Sequence, residues 1–193
     1  MKKIFFLTAF FIVTNMLYSQ FTSFEDLRYK INASVVSSSI EGYSVHKYEK
    51  KYHKYKSVYD NLWGYSLGIS AITPSDLFFG IEPGVRYVTR GYHRYNEMIY
   101  IDYIDIYSKF RLNWHNDREW ANFSPYFGMG MAFRVRTNEK NTSVFDTNLS
   151  VGVDFIFYDK ISIGTEINRG TTNIRKNFRG TNRTLFVNVG WIL

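Results

Sequence analysis

Four histidines are the side chains of this 193-residue sequence best suited to moving protons near neutral pH. His46 and His53 stand in EGYSVHKYEKKYHKYK with Glu41, Ser44 and Glu49 close by, His93 stands in GYHRYNE and His115 in NWHND. A hydrolytic site would need a nucleophile, a base and an orienting carboxylate within hydrogen-bond reach. A zinc site would need three or four convergent ligands. No spacing here specifies either, and the first stretch reads as a solvated loop rich in Tyr, Lys and His. The chain is therefore expected to be no enzyme, with no catalytic residues, no metal and no cofactor. No glycine-rich phosphate loop is apparent, because the glycines recur inside alternating segments.

The other ionisable residues are of two kinds. Glu82, Asp105, Asp154 and Glu166, together with Arg86, Lys109, Arg111 and Arg134, occupy every second position of segments whose intervening residues are apolar. Both signs on a shared face suit an enclosed structural network, since an unpaired buried charge costs several kcal/mol. The second kind lies between segments. Lys47, Lys50, Lys51, Lys54 and Lys56 interleave with Tyr43, Tyr48, Tyr52, Tyr55 and Tyr59, while Arg169, Arg175, Lys176 and Arg179 share a stretch without acidic residues. Lys50, Lys51, Arg175 and Lys176 are candidates for contact with anionic groups, and general surface charge is the plainer alternative.

Eight segments with a period of two must position these residues. They are LRYKINASV, LWGYSLGISAI, LFFGIEPGVRYVTR, the less regular run Ile104 to Leu112, SPYFGMGMAFRVR, Asn148 to Phe155, Ile161 to Asn168, and RTLFVNVGWIL. Their length suits tilted membrane-spanning strands of about 9–11 residues with some overhang. Thr73-Pro74-Ser75-Asp76 and Tyr158-Asp159-Lys160 read as tight turns. The longer connections are Ser37 to Asn61, Gly91 to Met98, Thr137 to Thr147 and Arg169 to Thr181, with Asn113 to Phe123 intermediate. Short turns on one side and long loops on the other are the layout of an outer-membrane barrel.

Period two alone does not say which face points outward, and a soluble lipocalin-like binding barrel would alternate in the same way. Glycine separates the two readings. Gly64, Gly68, Gly80, Gly84, Gly128, Gly130, Gly152, Gly164 and Gly190 all fall on the polar face. A crowded eight-stranded interior needs small residues beside long charged ones, whereas glycine on a water-facing surface would only weaken the strands. The polar face is expected inside and the apolar face against lipid, with Trp63, Tyr87 and Trp191 near strand ends.

MKKIFFLTAFFIVTNMLYSQ has two lysines, an apolar stretch from Ile4 to Val13 and a small residue, Ser19, at the expected cut, the layout of a secretory signal over 1–19. Residues 20–193 then form one domain with a net charge of about +5, since the whole chain carries +7 and two lysines leave. There is no Cys, hence no disulfide and no lipidated cysteine.

The run from LFFGIEPGVRY through YIDIYSKFRL, SPYFGMGMAFRV and NLSVGVDFIFYDKISIGTEIN to TLFVNVGWIL resembles the outer-membrane β-barrel domain of the small porin-like family of Gram-negative bacteria. The resemblance implies an all-β fold, an eight-stranded antiparallel up-and-down barrel in the cell outer membrane. It also implies contact with outer-membrane lipid and lipopolysaccharide, and insertion by the outer-membrane assembly machinery. That machinery reads alternate apolar residues in a C-terminal strand, here Val189, Trp191 and Leu193, although such strands commonly end on an aromatic residue and this one ends on Leu193. The expected role is structural, adhesive or that of a narrow channel, as a monomer without nucleic acid. A rim-sited envelope enzyme is the alternative, with His46 or His53 as its base.

Overall fold

The computed structural model describes residues 27–41, 59–73, 79–94, 97–114, 120–140, 142–174 and 180–193. The alternating segments become eight strands: β1 Arg28–Glu41, β2 Tyr59–Ile72, β3 Phe79–Arg94, β4 Glu97–Leu112, β5 Ala121–Thr137, β6 Phe145–Phe157, β7 Ile161–Gly170 and β8 Thr181–Ile192. Each pairs antiparallel with its neighbour in the chain, and β1 pairs with β8, so the sheet closes into a barrel. Closure gives every ladder a partner, which a hydrocarbon surround demands of backbone N–H and C=O groups. The closing ladder runs from Lys30↔Ile192 to Glu41↔Thr181, and the Leu193 N–H adds a bond to the Tyr29 carbonyl at 2.8 Å. No helix among the described residues is long and apolar enough to cross a membrane.

The apolar set faces outward. Along β8, Leu185, Val187, Val189 and Trp191 are exposed, while the intervening Thr184, Phe186, Asn188 and Gly190 are buried. Aromatic pairs bound this outer face at both ends. Phe123 and Phe155 are directly opposed on β5 and β6 with ring centroids 5.3 Å apart, and Phe133 and Phe145 are opposed at the other end of the same ladder, 5.4 Å apart. Trp120 and Phe157 lie on the first side, Tyr65 and Tyr87 on the second. The ten residue steps from 123 to 133 rise about 34 Å along a strand, and a tilt of about 40° brings the two girdles about 25 Å apart. That is the height of the apolar band of outer-membrane barrels.

The strands run further than the periodicity predicts. Gly91 to Met98, expected to be a long loop, is instead a tight hairpin: β3 continues to Arg94, β4 starts at Glu97, and the ladder is unbroken to Arg94↔Glu97. The physical reason lies at the inner positions. Towards this end they change from polar to apolar, with Val36, Ile40, Val88, Tyr92, Ile99, Ile101 and Phe186 all buried inside. The polar-in rule fails there although the strand geometry continues. Arg94 then braces the hairpin through Glu97 at 3.0 Å and Glu139 at 3.4 Å. β1 passes Ser37 to Glu41 for the same reason.

On the opposite side the Tyr158-Asp159-Lys160 turn is as tight as expected, with Lys160 N–H donating to the Phe157 carbonyl at 2.9 Å. Tyr158 and Asp159 both take positive φ, 50° and 53°, the backbone of a type I′ turn built without glycine. Arg28 of β1 and Asn122 of β5 hold the Asp159 carboxylate.

Candidate functional site

Nine charged side chains meet inside the middle of the barrel. β1 supplies Lys30, β3 Glu82, Arg86 and Arg90, β4 Asp105, Lys109 and Arg111, β6 Asp154 and β7 Glu166, and every one is at most 6% exposed. Even spacing along each strand keeps them on one face, and register sets their neighbours: Glu82 lies opposite Lys109 and Arg86 opposite Asp105.

They form two clusters. In the first, Arg111 is the hub. Its Nη1 donates to Glu82 Oε2, its Nη2 to Asp154 Oδ2 at 2.7 Å and its Nε to Ser124 Oγ at 3.0 Å. Lys30 Nζ reaches across from β1 to Glu82 at 2.7 Å and Asp154 at 3.4 Å. Ser70 donates to Glu82 at 2.8 Å, and Ser124 passes its own proton to Asn113 Oδ1 at 2.9 Å. In the second cluster Glu166 accepts from Arg86 Nη2 at 2.8 Å and Lys109 Nζ at 3.0 Å, and Asp105 accepts from Arg86 Nε at 3.1 Å and from Arg90 Nη2. The guanidinium of Arg86 also lies 4.1 Å from the centre of the Phe186 ring and 4.9 Å from that of Tyr107. Such contacts stabilise a desolvated cation.

Two tyrosines lie over glycines to make this packing possible. Tyr107 faces Gly84 across β3–β4 and Tyr126 faces Gly152 across β5–β6. A Cβ on Gly84 would come within 2.6 Å of the Tyr107 ring, and one on Gly152 within 2.5 Å of Tyr126 and 2.4 Å of the Thr165 carbonyl. Lying flat, Tyr126 accepts from Lys109 at 3.3 Å and donates to Glu166 at 3.2 Å.

Apolar clusters flank the ionic layer on both sides. On the side of the β3–β4 hairpin, Val36, Ile40, Val88, Tyr92, Ile99, Ile101 and Phe186 pack together, and Ile174 from the β7–β8 connection joins them. On the other side Ile72, Ile156 and Ile192 pack as a smaller cluster. The ionic clusters thus form a middle layer flanked by apolar clusters, and on the hairpin side buried polar groups, Asp146 and Asn182 among them, continue between the apolar side chains. Charges so enclosed interact through a low dielectric, and each depends on its partners for solvation.

Of the eight residues expected in the lumen, the structure places Glu82, Arg86, Asp105, Lys109, Arg111, Asp154 and Glu166 in the two clusters. Arg134 is elsewhere. It pairs with Tyr103, two residues beyond the Asp105↔Ala132 pair, and sits half-buried above the clusters, donating to the Thr142 carbonyl at 2.6 Å and to its hydroxyl. It braces the β5–β6 connection. Lys30 and Arg90 join the clusters without having been singled out, although each shares the inward phase of its strand. Val189, Trp191 and Leu193 point outward on and just beyond β8. His46, His53, His115, Lys50, Lys51, Arg175, Lys176 and the segment 1–19 lie outside the described residues. Among those described, no group of His, Asp and Glu is arranged to hold a metal ion.

A closed antiparallel barrel, apolar and aromatic-girdled outside and charged within, is a membrane-spanning barrel of outer-membrane type. The sequence profile of the outer membrane protein beta-barrel domain family matches residues 7–192: the chain belongs to that family, and its place is the cell outer membrane. Among solved structures, Neisserial surface protein A is similar at a TM-score of 0.50 and 12% identity, over 84% of this chain and 96% of that one. Ail, the attachment invasion locus protein of Yersinia pestis, solved with the heparin analogue sucrose octasulfate, gives 0.48 and 12% over 87% and 99%. The outer membrane enzyme PagL gives 0.49 and 13% over 82% and 97%. Identities this low speak for the fold alone. Among curated proteins, none matches the chain in sequence.

Proposed function

We propose that the chain is a structural and interaction barrel, a rigid outer-membrane platform that presents its loops at the cell surface, rather than a diffusion pore or an enzyme. The observation carrying this reading is the sealed interior. The nine clustered charges are at most 6% exposed and are flanked by packed apolar clusters on both sides, an arrangement that leaves little room for a water column or for a substrate. Single-channel recording on the folded chain in planar bilayers tests it. No resolvable conductance steps are expected, and steady open-channel current would overturn the reading in favour of a narrow channel.

A second reading concerns the ligand. Arg169 and Arg183 are directly opposed across β7–β8 at the end of the lipid-facing stripe, next to the Ile167↔Leu185 pair, and both are exposed. Like charges placed opposite each other disfavour the pairing of strands, and Glu41 at 3.7 Å from Arg169 balances only one of them. An anionic headgroup bridging the two would remove the conflict. With Lys50, Lys51, Arg175 and Lys176 from the loops, the pair makes lipopolysaccharide phosphates or acidic glycans the preferred partners. Changing Arg169, Arg183, Arg175 and Lys176 to Gln together is expected to lower binding to anionic glycolipid vesicles, and unchanged binding would exclude this reading. Cleavage after Ser19, a monomeric state and delivery by the assembly machinery through Val189, Trp191 and Leu193 complete the proposal. N-terminal sequencing of the exported chain tests the first of these.

A further inference from the structure

Between the two ionic clusters the barrel interior keeps a small cavity of about 10 Å³, room for a single water-sized guest. Lys30, Arg86, Lys109, Asp154, Asn32, Ser34 and Asn188 line it, together with Ser66 and Tyr107. Three cations therefore face one carboxylate, and Asp154 Oδ2 already accepts from Lys30 and Arg111. Asn188 is 8% exposed. Its Oδ1 accepts from Ser34 Oγ at 2.6 Å, while its Nδ2 is buried without a hydrogen-bond partner.

An orphaned buried donor costs about 1–3 kcal/mol, so such groups normally have a partner. Whatever meets Asn188 Nδ2 must accept a hydrogen bond among ammonium and guanidinium groups. A water could accept there but would bring two protons of its own to a wall where three cationic groups face a single carboxylate. A halide brings none, carries the charge that the wall favours, and is only slightly larger than water. We propose that this cavity is a binding site for one small monovalent anion, chloride in the organism, held by Asn188, Lys109, Lys30 and Arg86. The site is structural, linking the two clusters by a shared counter-ion, and is independent of what the surface loops bind.

The test uses the mature chain folded in detergent and crystallised from sodium bromide, with diffraction measured at the bromine edge. An anomalous peak in the cavity, within hydrogen-bond range of Asn188 Nδ2, is expected in the wild type and absent in Asn188→Asp, where a carboxylate takes the anion's place. In solution, bromide titrated against gluconate at constant ionic strength should lower the unfolding equilibrium constant about tenfold for each tenfold rise above half-saturation. The same titration should leave Asn188→Asp unmoved. Should that variant fail to fold, Ser66→Val fills the cavity from a neighbouring wall and is expected to abolish the same dependence. Density without anomalous signal, or equal stability in bromide and gluconate, would show water in the cavity and overturn the proposal.

Discussion

Replacing Arg111 by Met keeps an unbranched apolar stem and removes the charged guanidinium. The guanidinium is 1% exposed and serves Glu82, Asp154 and Ser124 at once. At an effective dielectric of about 20, the 2.7 Å contact with Asp154 alone has a gross attraction of about 6 kcal/mol. Desolvation of the cation offsets much of that, and removing one partner of a buried pair costs about 3–5 kcal/mol in practice. Lys30 stays within 2.7 Å of Glu82 and 3.4 Å of Asp154, so the lower end applies and R111M should lose about 3 kcal/mol. Denaturant unfolding in lipid vesicles, followed by Trp fluorescence and by gel mobility with and without boiling, measures it. A double-mutant cycle sharpens the test. Glu82→Gln in the R111M background removes one of the two stranded carboxylates, so the pair should be coupled by about 1–3 kcal/mol. A loss below about 1 kcal/mol with additive single mutants would refute the reasoning, because it would mean that the network is hydrated rather than dry.

Four further outcomes follow from the same geometry. Gly152→Ala drives a methyl group towards the Thr165 carbonyl and the Tyr126 ring and should cost about 1–3 kcal/mol, whereas Tyr126→Phe, losing only the hydroxyl between Lys109 and Glu166, should cost about 1–2 kcal/mol by the same unfolding assay. Tyr158→Asn places a residue tolerant of positive φ in the type I′ turn and should raise stability by about 0.5–1 kcal/mol; a loss would show that the exposed Tyr158 ring anchors the barrel at the interface. Val187→Arg puts a charge midway along the outer face of β8 and should destabilise the barrel by about 2–4 kcal/mol in a bilayer, and no change there would mean that this face does not meet hydrocarbon.

The barrel was legible because its rule is local. A strand that separates lipid from a crowded interior must alternate, and its small residues must lie inside, so the glycines of the polar phase told the two faces apart. Strand ends were not legible. At Val36, Ile40, Tyr92 and Ile99 the inner face itself becomes apolar, and an alternation between apolar-in and mixed-out looks like its end. The tight hairpin at Arg94 and Glu97 was hidden for the same reason, beneath the polar look of YHRYNE. The charged interior was visible strand by strand, but its wiring was not. Which acid meets which base depends on register and on contacts across the lumen, such as Lys30 of β1 reaching Asp154 of β6. Arg134 shows the limit, since an inward-phased arginine only two residues beyond Ala132, the partner of Asp105, already lies outside the network and serves the rim.

The ladder between β1 and β8 has a kinetic consequence. Its partners are 140 residues apart at Glu41↔Thr181 and 162 apart at Lys30↔Ile192, while each remaining ladder joins strands adjacent in the chain. Hairpins from β1–β2 to β7–β8 can nucleate early, but the closing event carries the loop-closure entropy of almost the whole barrel and should set the pace of folding. Until then β1 and β8 each present a bare edge able to join another chain. Lys30 enters the interior from β1, so its approach to Asp154 is tied to the same moment. Sealing the sheet and completing the charge network are one event, and a barrel caught just before it is the species that a chaperone in transit would have to hold.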